Sequence, residues 1–338
     1  MKRHLSLLLC LIPLFAMAQQ NKDLRLSEIF SSLSDRIAVG AFLQGGYDYD
    51  SQAETNSFYQ KRATVTLKGQ ITDHWTAFFA FEFANSTTQE LWMEYKVANE
   101  LTFRAGQFKT MFGLENMTSP TDVELIDDAA QSTLYLMAQK GDVLQGNHAG
   151  RDIGIMASGD LLNKIIHYDL SLMNGQGINR RDANKAKDFV ARVIVNVTPE
   201  LALSGSYYDG KGHALADNAS MGIAQGQDYN RDRWALGAKF SIPRINLRAE
   251  YLGGKDADIK SEGWYALGTF EVVKNLDLIL SYDFFNKNKT IDDKQTNYIG
   301  GLQWWFYKGC RLRATYTYRD SNLLGESSLI QTAFQIKF

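Results

Sequence analysis

Basic side chains recur at even spacings along this chain, which is the arrangement that lines one face of a β-strand. Arg62 and Lys68 are an even number of residues apart, and so are Arg311, Arg313 and Arg319. Because successive side chains of a strand point to opposite faces, residues an even number apart face the same way. A row of such cations attracts anions and repels cations, which suits the binding and passage of charged solutes.

Charged residues alternate with apolar ones over most of the chain. On the polar face of the alternating runs, eleven charged residues are basic and eight are acidic. The basic ones are Arg62, Lys68, Lys96, Arg104, Arg192, Lys239, Arg248, Arg311, Arg313, Arg319 and Lys337. The acidic ones are Asp48, Glu82, Glu94, Asp152, Asp169, Glu250, Asp277 and Asp283. If the apolar residues face outward, these side chains line a wet interior with a modest positive excess. Alternatively, they only pair with one another across a polar wall.

The elements that position these charges are β-strands, because the dominant period from residue 36 onward is two rather than 3.6. Ala63, Val65 and Leu67, for example, alternate with Thr64 and Thr66. The pattern predicts sixteen strands. They lie near residues 37–43, 63–71, 75–83, 91–97, 101–108, 151–157, 165–173, 188–197, 201–209, 233–240, 245–252, 262–271, 276–285, 295–306, 310–319 and 328–338. The run at 262–271 carries aromatic residues on both faces.

The predicted connections alternate between short and long. The short ones are 72–73, 98–100, 198–200, 243–244, 274–275 and 308–309. The long ones are 50–57, 84–90, 109–150, 174–187, 210–232, 253–261, 286–294 and 320–327. Short turns at one end and long loops at the other are typical of a membrane barrel with an even number of strands.

Closure of the sheet follows from the cost of unpaired backbone groups in lipid, which rules out an open edge there. Tyrosine and tryptophan residues near predicted strand ends suit the two interfaces of a bilayer. They include Tyr47, Tyr49, Tyr207, Tyr282, Tyr316, Tyr318, Trp234 and Trp304. The last predicted strand alternates up to Phe338, as in bacterial outer-membrane proteins. The sequence therefore predicts an all-β, transmembrane antiparallel barrel of sixteen strands in the bacterial outer membrane, formed by residues 36–338.

The first 35 residues stand apart from this pattern. Lys2 and Arg3 precede the apolar stretch 5–15, and Ala16-Met17-Ala18 has the small-x-small form of a cleavage site, which predicts a secretory signal peptide over 1–18. Cys10 permits a lipoprotein signal as the alternative. Residues 19–35 form a periplasmic segment, either a short amphipathic helix or a mobile leader. A formal net charge of −2 implies no nucleic-acid partner.

The longest predicted loop follows the fifth strand, and we expect it to fold inward and narrow the channel. Lys109 lies where the chain leaves the wall. The loop carries acidic residues in a stretch expected to be partly helical. They are Glu115, Asp122, Glu124, Asp127 and Asp128. An acidic loop facing a basic wall would set a transverse field across the pore. If the loop instead covers the outer mouth, no such field arises.

Two motifs resemble a known family. Lys61-Arg62-Ala63-Thr64-Val65 with Lys68-Gly69, and Gly106-Gln107-Phe108-Lys109 with Phe112-Gly113-Leu114-Glu115, are similar to the phosphate-selective porins (porins O and P). Gly263-Trp264-Tyr265-Ala266 is a third and weaker match. The resemblance covers nearly all of the chain after the signal peptide.

The resemblance implies a homotrimer of sixteen-stranded barrels that passes phosphate or other anions through a constriction of Arg and Lys. By position, Lys61 and Arg62 match the paired basic residues of the family, and Lys109 matches its loop lysine. Combined with the strand pattern, the candidates for lining the pore and binding anions are Lys61, Arg62, Lys68, Arg104, Lys109, Arg192, Arg313 and Arg319. The chain departs from the family where Lys61 replaces an Arg and where Thr110-Met111 replaces a proline-containing stretch.

Other functions remain open at this stage. A general, non-selective porin for small nutrients would share the same fold. A barrel-borne hydrolase would need a nucleophile and a base, and His167, Asp169 and Ser171 lie on one face of one strand. Residues i and i+2 are about 6.6 Å apart along a strand, which is expected to prevent direct hydrogen bonds between them. No metal-ligand spacing or nucleotide motif appears, so the sequence predicts no cofactor and no enzyme.

Overall fold

The computed structural model describes residues 36–142, 148–218 and 222–338. The predicted signal peptide (1–18) and periplasmic segment (19–35) lie outside the described residues. In the part that is described, no helix is long and apolar enough to cross a bilayer. Almost all regular structure there is β-strand.

Sixteen strands, β1 to β16, follow one another along the chain. Their bounds are Ile37–Asp50, Thr55–Gln70, Trp75–Glu82, Thr87–Ala98, Leu101–Lys109, Arg151–Leu161, Ile166–Met173, Asp188–Asn196, Leu201–His213, Asp228–Ile242, Ile245–Asp256, Ile259–Val273, Leu276–Asn288, Asp293–Tyr307, Cys310–Ser321 and Gly325–Lys337. One short helix, α1 (Gln131–Leu136), lies between β5 and β6.

The strands form one closed antiparallel ring, in which each strand pairs with its neighbours in the chain. The first and last strands complete the ring, with Leu43 opposite Ile336 and Gly45 opposite Phe334. Closure leaves no strand edge with unpaired N–H and C=O groups. The prediction of a sixteen-stranded antiparallel barrel is confirmed.

The alternation that identifies the strands also separates the two faces of the wall. On β16, Ile330 and Phe334 are exposed on the outside, whereas Gln331 and Gln335 are buried inside the ring. β12 resolves the ambiguous run at 262–271, because Trp264 is 43% exposed outside and Tyr265 is fully buried inside. The barrel thus has an apolar outer surface and a polar inner one.

Aromatic rings cluster on the outer surface. A row crosses β12, β13 and β14, where the ring centroids of Trp264 and Tyr282 lie 4.6 Å apart and those of Tyr282 and Tyr298 lie 5.3 Å apart. On the part of the wall near the turn before β3, Trp75 packs on Tyr95 with 4.8 Å between centroids. Rings of this kind suit the interfaces of a bilayer.

The predicted loop lengths were wrong at five of the eight positions. Loops 110–150, 174–187 and 214–227 are long, and these mark what we call the loop end of the barrel. The other connections there have only two to four residues. They are 51–54, 83–86, 257–258, 289–292 and 322–324. The strands continue past the apolar stretch, since backbone pairing needs no apolar outer face where water replaces lipid.

Candidate functional site

Residues 110–142 and 148–150, which we call the constriction loop, fold back among the inner faces of the strands. Phe112, Leu125, Tyr135 and Leu136 of the loop are buried with inward-facing wall residues such as Tyr265 in one apolar cluster. Burial of apolar surface of this kind stabilises the packed arrangement. The loop is therefore packed as part of the interior. The helix falls at 131–136, after the acidic residues rather than among them as predicted, and residues 122–128 form turns.

One side of the loop is held by β8, β9 and β11. Glu250 accepts hydrogen bonds from the backbone N–H groups of Leu114 at 2.7 Å and Glu115 at 2.8 Å. Gly113 lies beside this contact with a φ of +66°, and a Cβ at that position would lie 3.0 Å from Glu250 Oε1. Arg192 donates to the Gly113 carbonyl at 3.2 Å. The Phe-Gly-Leu motif therefore has a positional reason, because only glycine readily adopts this backbone so close to a carboxylate.

A second set of contacts joins the loop to the strands that close the ring. Arg311 and Arg313 donate to the carbonyl of Val123 at 2.6 Å and 3.0 Å. Gln335 donates to the carbonyl of Thr121 at 3.0 Å. These guanidinium and amide groups satisfy backbone carbonyls of an irregular segment, which would otherwise be buried without partners. The loop thus crosses the ring from β5 to β15 and β16.

The space that the loop leaves open lies against β2, β3 and β4. It is a cavity of about 710 Å³. Its charged lining has five basic residues, Lys61, Arg62, Lys109, Lys140 and Arg151, and four acidic ones, Glu82, Glu90, Glu115 and Asp128. Three sequence-predicted cations, Lys61, Arg62 and Lys109, are brought together here, with two of the predicted loop acids.

The tightest ionic contact in the cavity joins the wall to the loop. Arg62 donates through both terminal nitrogens to the two carboxylate oxygens of Asp128, each at 2.8 Å. Lys61 Nζ lies 2.7 Å from Asp128 Oδ1, and Lys140 Nζ lies 3.6 Å from Oδ2. The predicted acidic loop and basic wall therefore meet in contact at Asp128, where the sequence predicts a field across an open gap.

The remaining cavity cations have different partners. Arg151 pairs with Glu90 at 3.1 Å. Lys109 Nζ donates to the backbone carbonyls of Asn116 at 3.0 Å and Thr118 at 2.5 Å. Among the residues described, no carboxylate lies within ion-pair distance of Lys109. Its direct contacts are therefore with backbone carbonyls rather than with a carboxylate.

Two carboxyls of the constriction loop have shifted pKa values. Burial raises the pKa of Glu115 to about 7, although Arg248 lies 3.3 Å away and acts in the opposite direction. Burial also acts to raise the pKa of Asp128, but the charges of Lys61 and Arg62 outweigh it and hold that pKa well below its usual range. Asp128 is therefore ionised near neutral pH, whereas Glu115 titrates there.

Five predicted pore-lining cations lie outside this cavity. Arg104 pairs with Glu94 at 2.6 Å, and Arg319 pairs with Asp50 at 2.8 Å near the loop end. Lys68 is exposed near the opposite end of β2. The other two, Arg192 and Arg313, are buried against the constriction loop. A direct role of these five in conduction stays a prediction.

The other predicted loop acids also have separate positions. Glu124 pairs with Arg248 at 2.9 Å, and Asp127 accepts a hydrogen bond from Gln331 at 3.0 Å. Asp122 is exposed and accepts a hydrogen bond from the Thr121 hydroxyl at 3.3 Å. None of these three lines the cavity beside β2.

Sequence reasoning missed Arg151, Lys140 and Glu90 as cavity residues. The strand register could have identified Arg151, because this first residue of β6 is the cross-strand partner of Lys109, the last residue of β5. The strict alternation assigned the inner face to Asp152 and therefore the outer face to Arg151. Both are buried at this strand end, where the wall bends into the loop.

The candidate hydrolase residues form a structural network. His167 Nε2 lies 3.3 Å from Asp169 Oδ1, so the expectation that spacing along the strand prevents this contact was wrong. Asp169 also accepts two hydrogen bonds from Arg192, at 2.6 Å and 2.9 Å. Ser171 Oγ donates to the Val190 carbonyl at 3.4 Å, away from the imidazole. These contacts do not assemble a nucleophile and its base.

The comparison with protein families finds a match to the model described as phosphate-selective porin O and P, over residues 37–329. None of the curated proteins matches the chain significantly.

Solved structures of outer-membrane proteins share the fold at low sequence identity. The anion-selective porin from Comamonas acidovorans has a TM-score of 0.68 and 13% identity, covering 89% of this chain and 99% of that one. OmpT of Vibrio cholerae in its trimer form has a TM-score of 0.67 and 12% identity, with coverage of 89% and 99%. OmpF of Salmonella typhi has a TM-score of 0.66 and 12% identity, with coverage of 89% and 97%.

Proposed function

Because this chain belongs to the family of phosphate-selective porins O and P, it is a channel of the bacterial outer membrane, and we propose that it favours small anions such as phosphate. In this proposal the solute passes through the cavity between the constriction loop and β2 to β4. The proposal concerns the path and the preference, which the fold alone does not decide.

The observation that supports an anion preference best is the position of Lys109. This amine lies in the cavity with carbonyl partners and, in the described part of the chain, without a carboxylate within ion-pair distance. The lining carries five basic residues against four acidic ones, and among the described residues Lys109 is the base of this set without an ion-pair partner. In a narrow passage of reduced dielectric, one such charge attracts anions and repels cations.

The test is the reversal potential of single channels in a planar bilayer under a KCl gradient. We expect the unaltered channel to be anion-selective. Lys109→Glu and Arg62→Glu should each shift the reversal potential towards cations. Lys274→Glu makes the same change of charge at the tight turn 274–275, far from the cavity, and serves as the control.

Each outcome has a definite reading. A cation-selective wild-type channel would overturn the anion proposal. A reversal potential near zero that neither variant changes would favour the alternative of a general, non-selective porin. Shifts of equal size in all three variants would mean that overall charge, rather than the cavity, sets the preference.

We also propose that this chain forms a homotrimer in the outer membrane. The fold is shared with a protein solved as a trimer, and the apolar outer surface offers area for subunits as well as lipid. Molecular mass in detergent, measured by light scattering with the detergent contribution subtracted, tests this. A monomer at all concentrations would contradict it.

A further inference from the structure

A second cavity lies between the constriction loop and the inner faces of β13 to β16. It has a volume of about 50 Å³, whereas a single water molecule needs roughly 10–15 Å³. Its lining includes buried and half-buried side chains that carry oxygen atoms. Among them are Asp127, Asp283, Asn297, Thr315, Thr317 and Gln331. No Lys, Arg or His among the described residues lines this second cavity, so the charged groups of its lining are acids only.

One carboxylate oxygen in this lining lacks a partner. Asp283 is 1% exposed, and its Oδ2 accepts hydrogen bonds from the backbone N–H of Gln131 at 3.0 Å and from Asn297 Nδ2 at 3.4 Å. Its Oδ1 is also buried, yet no hydrogen-bond donor reaches it from the described part of the chain. Burial of a carboxylate oxygen without a donor is costly, because the oxygen loses water and gains nothing in exchange. We therefore expect a group from outside the chain to meet Oδ1.

A second carboxylate lines the same space from the side of the loop. Asp127 accepts a hydrogen bond from Gln331 Nε2 at 3.0 Å. Within the described ranges, neither Asp127 nor Asp283 has a basic side chain at ion-pair distance. Arg313 of β15 instead donates to the backbone carbonyl of Leu125 at 3.3 Å. The two acids thus share a small cavity to which the described chain contributes no cation.

Oxygen atoms of this kind are ligands for a hard divalent cation. Ca²⁺ binds about six to eight oxygens of carboxylates, amides and water in a flexible geometry. Two carboxylates balance its charge, and Gln331, whose Nε2 donates to Asp127, keeps its carbonyl oxygen for the ion. Mg²⁺ requires a stricter octahedron and releases water reluctantly, so this irregular set suits it less. Since no three Asp, Glu, His or Cys side chains of the described chain cluster as a metal site, neutral oxygens must complete the coordination.

We propose that Asp127 and Asp283 bind one Ca²⁺ ion in the second cavity, and that this ion fastens the constriction loop to the barrel wall. Asp127 belongs to the loop and Asp283 to β13, so an ion between them joins the two. Helix α1 begins at Gln131, whose N–H already contacts Asp283. The site is separate from the cavity beside β2, which neither acid lines. The inference therefore does not depend on the proposed anion preference.

The test is isothermal titration of the purified, full-length protein in detergent with CaCl₂, after bound divalent ions have been removed with EDTA and dialysis. We expect one saturable site per chain. Asp283→Asn keeps an acceptor for the Gln131 N–H but removes the charge, and it should weaken Ca²⁺ binding about 10-fold or more. Thr317→Val removes one neutral oxygen with little change of shape and should weaken binding about threefold. Asp122→Asn, at an exposed loop residue outside both cavities, is the matched control and should change the affinity less than about twofold.

The fastening role has its own measurement. Hydrogen–deuterium exchange of residues 121–136 should become slower when Ca²⁺ is added to the wild type or to Asp122→Asn. In Asp283→Asn the same concentration of Ca²⁺ should leave the exchange unchanged. Unchanged exchange in the wild type at saturating Ca²⁺ would overturn this role.

Several results would overturn the site itself. A wild type without saturable Ca²⁺ binding would mean that a protonated Asp283 or a water molecule satisfies the cavity. Equal affinity in the wild type and Asp283→Asn would place the ion elsewhere on the protein, and an equal loss in Asp122→Asn would make the effect one of surface charge. Should Asp283→Asn fail to form a barrel, judged by heat-dependent migration in gels, an unchanged affinity in Thr317→Val would overturn the inference.

Discussion

The Glu250 carboxylate on β11 accepts the backbone N–H of Glu115, at 2.8 Å, so that an acidic wall residue holds an acidic loop residue through its main chain. The other contacts of Glu250 are the N–H of Leu114 at 2.7 Å and the hydroxyl of Tyr265 at 2.6 Å. Three donors thus converge on one buried carboxylate. Glu250 is therefore one of the wall residues that hold the loop in position.

Replacing Glu250 should therefore loosen the loop without opening the barrel. In Glu250→Gln the amide nitrogen faces N–H donors, and each lost hydrogen bond to a charged group costs about 1.5–3 kcal/mol of docking free energy. We expect more frequent current fluctuations in single-channel recordings. Glu262→Gln, which affects a partly exposed pair with Lys289, is the matched control. Equal noise in the two variants would show that Glu250 does not restrain the loop.

Arg62 and Lys68 should differ although both lie on the inner face of β2. Arg62 lines the cavity, whereas Lys68 is exposed outside it, near the end of the strand. Charge in open solvent is screened within about 10 Å at 0.1 M salt. Arg62→Gln should lower the ratio of anion to cation permeability about twofold or more, and Lys68→Gln should change it little. Reversal potentials at 0.1 M and 1 M KCl check this, and a larger effect of Lys68 would contradict the assigned path.

Selectivity should depend on pH through Glu115, whose pKa burial raises to about 7. Below this pH the carboxyl is protonated and neutral, and above it the carboxylate adds a negative charge beside the cavity. Anion preference should therefore fall as the pH rises from 6 to 8. Glu115→Gln should make this change with pH smaller.

The sign for stability follows from the same shift. Because the pKa in the folded protein lies above the ordinary value of 4.5, the folded state binds the proton more tightly. The contribution of Glu115 to loop docking is therefore fully present below about pH 4.5 and is lost as the pH rises through about 7. Proteolysis of the loop at pH 5.5 and pH 8 measures this. Identical pH profiles of selectivity and proteolysis for wild type and Glu115→Gln would contradict both expectations.

Ser171 should be unreactive. Its hydroxyl donates to the Val190 carbonyl, and the neighbouring Asp169 is engaged by Arg192. A fluorophosphonate probe, which labels activated serines, should not modify the purified barrel. Labelling that disappears in Ser171→Ala and in His167→Ala would revive the hydrolase alternative.

The barrel wall was predictable from the sequence because its pattern has a local physical cause. Lipid requires apolar side chains outside, and the inner face needs polar ones, so Ile330, Gln331, Phe334 and Gln335 alternate as the fold demands. Strand ends were less predictable. Beyond the bilayer the outer face has no such requirement, and β2 begins at Thr55, eight residues before the alternation at Ala63 becomes visible.

The cavity was predictable only in part. The motifs that resemble the porin family led to Lys61, Arg62 and Lys109, and these three do lie together. The alternation along the strands alone pointed to Arg192 and Arg313 as strongly as to these three. It identifies the residues on the inner face without showing which of them the loop covers. The path of the loop depends on contacts between residues far apart in sequence, such as Arg311 with Val123. Such contacts leave no local pattern.

The cross-connections of the constriction loop have a mechanical consequence. An empty ring of strands resists flattening weakly. In this barrel the constriction loop crosses the interior from β5 and contacts strands β11 and β15. A lateral pressure that makes the barrel cross-section oval must compress the constriction loop or break its contacts with the wall. We therefore expect the width of the cavity beside β2 to depend on how round the cross-section of the barrel is.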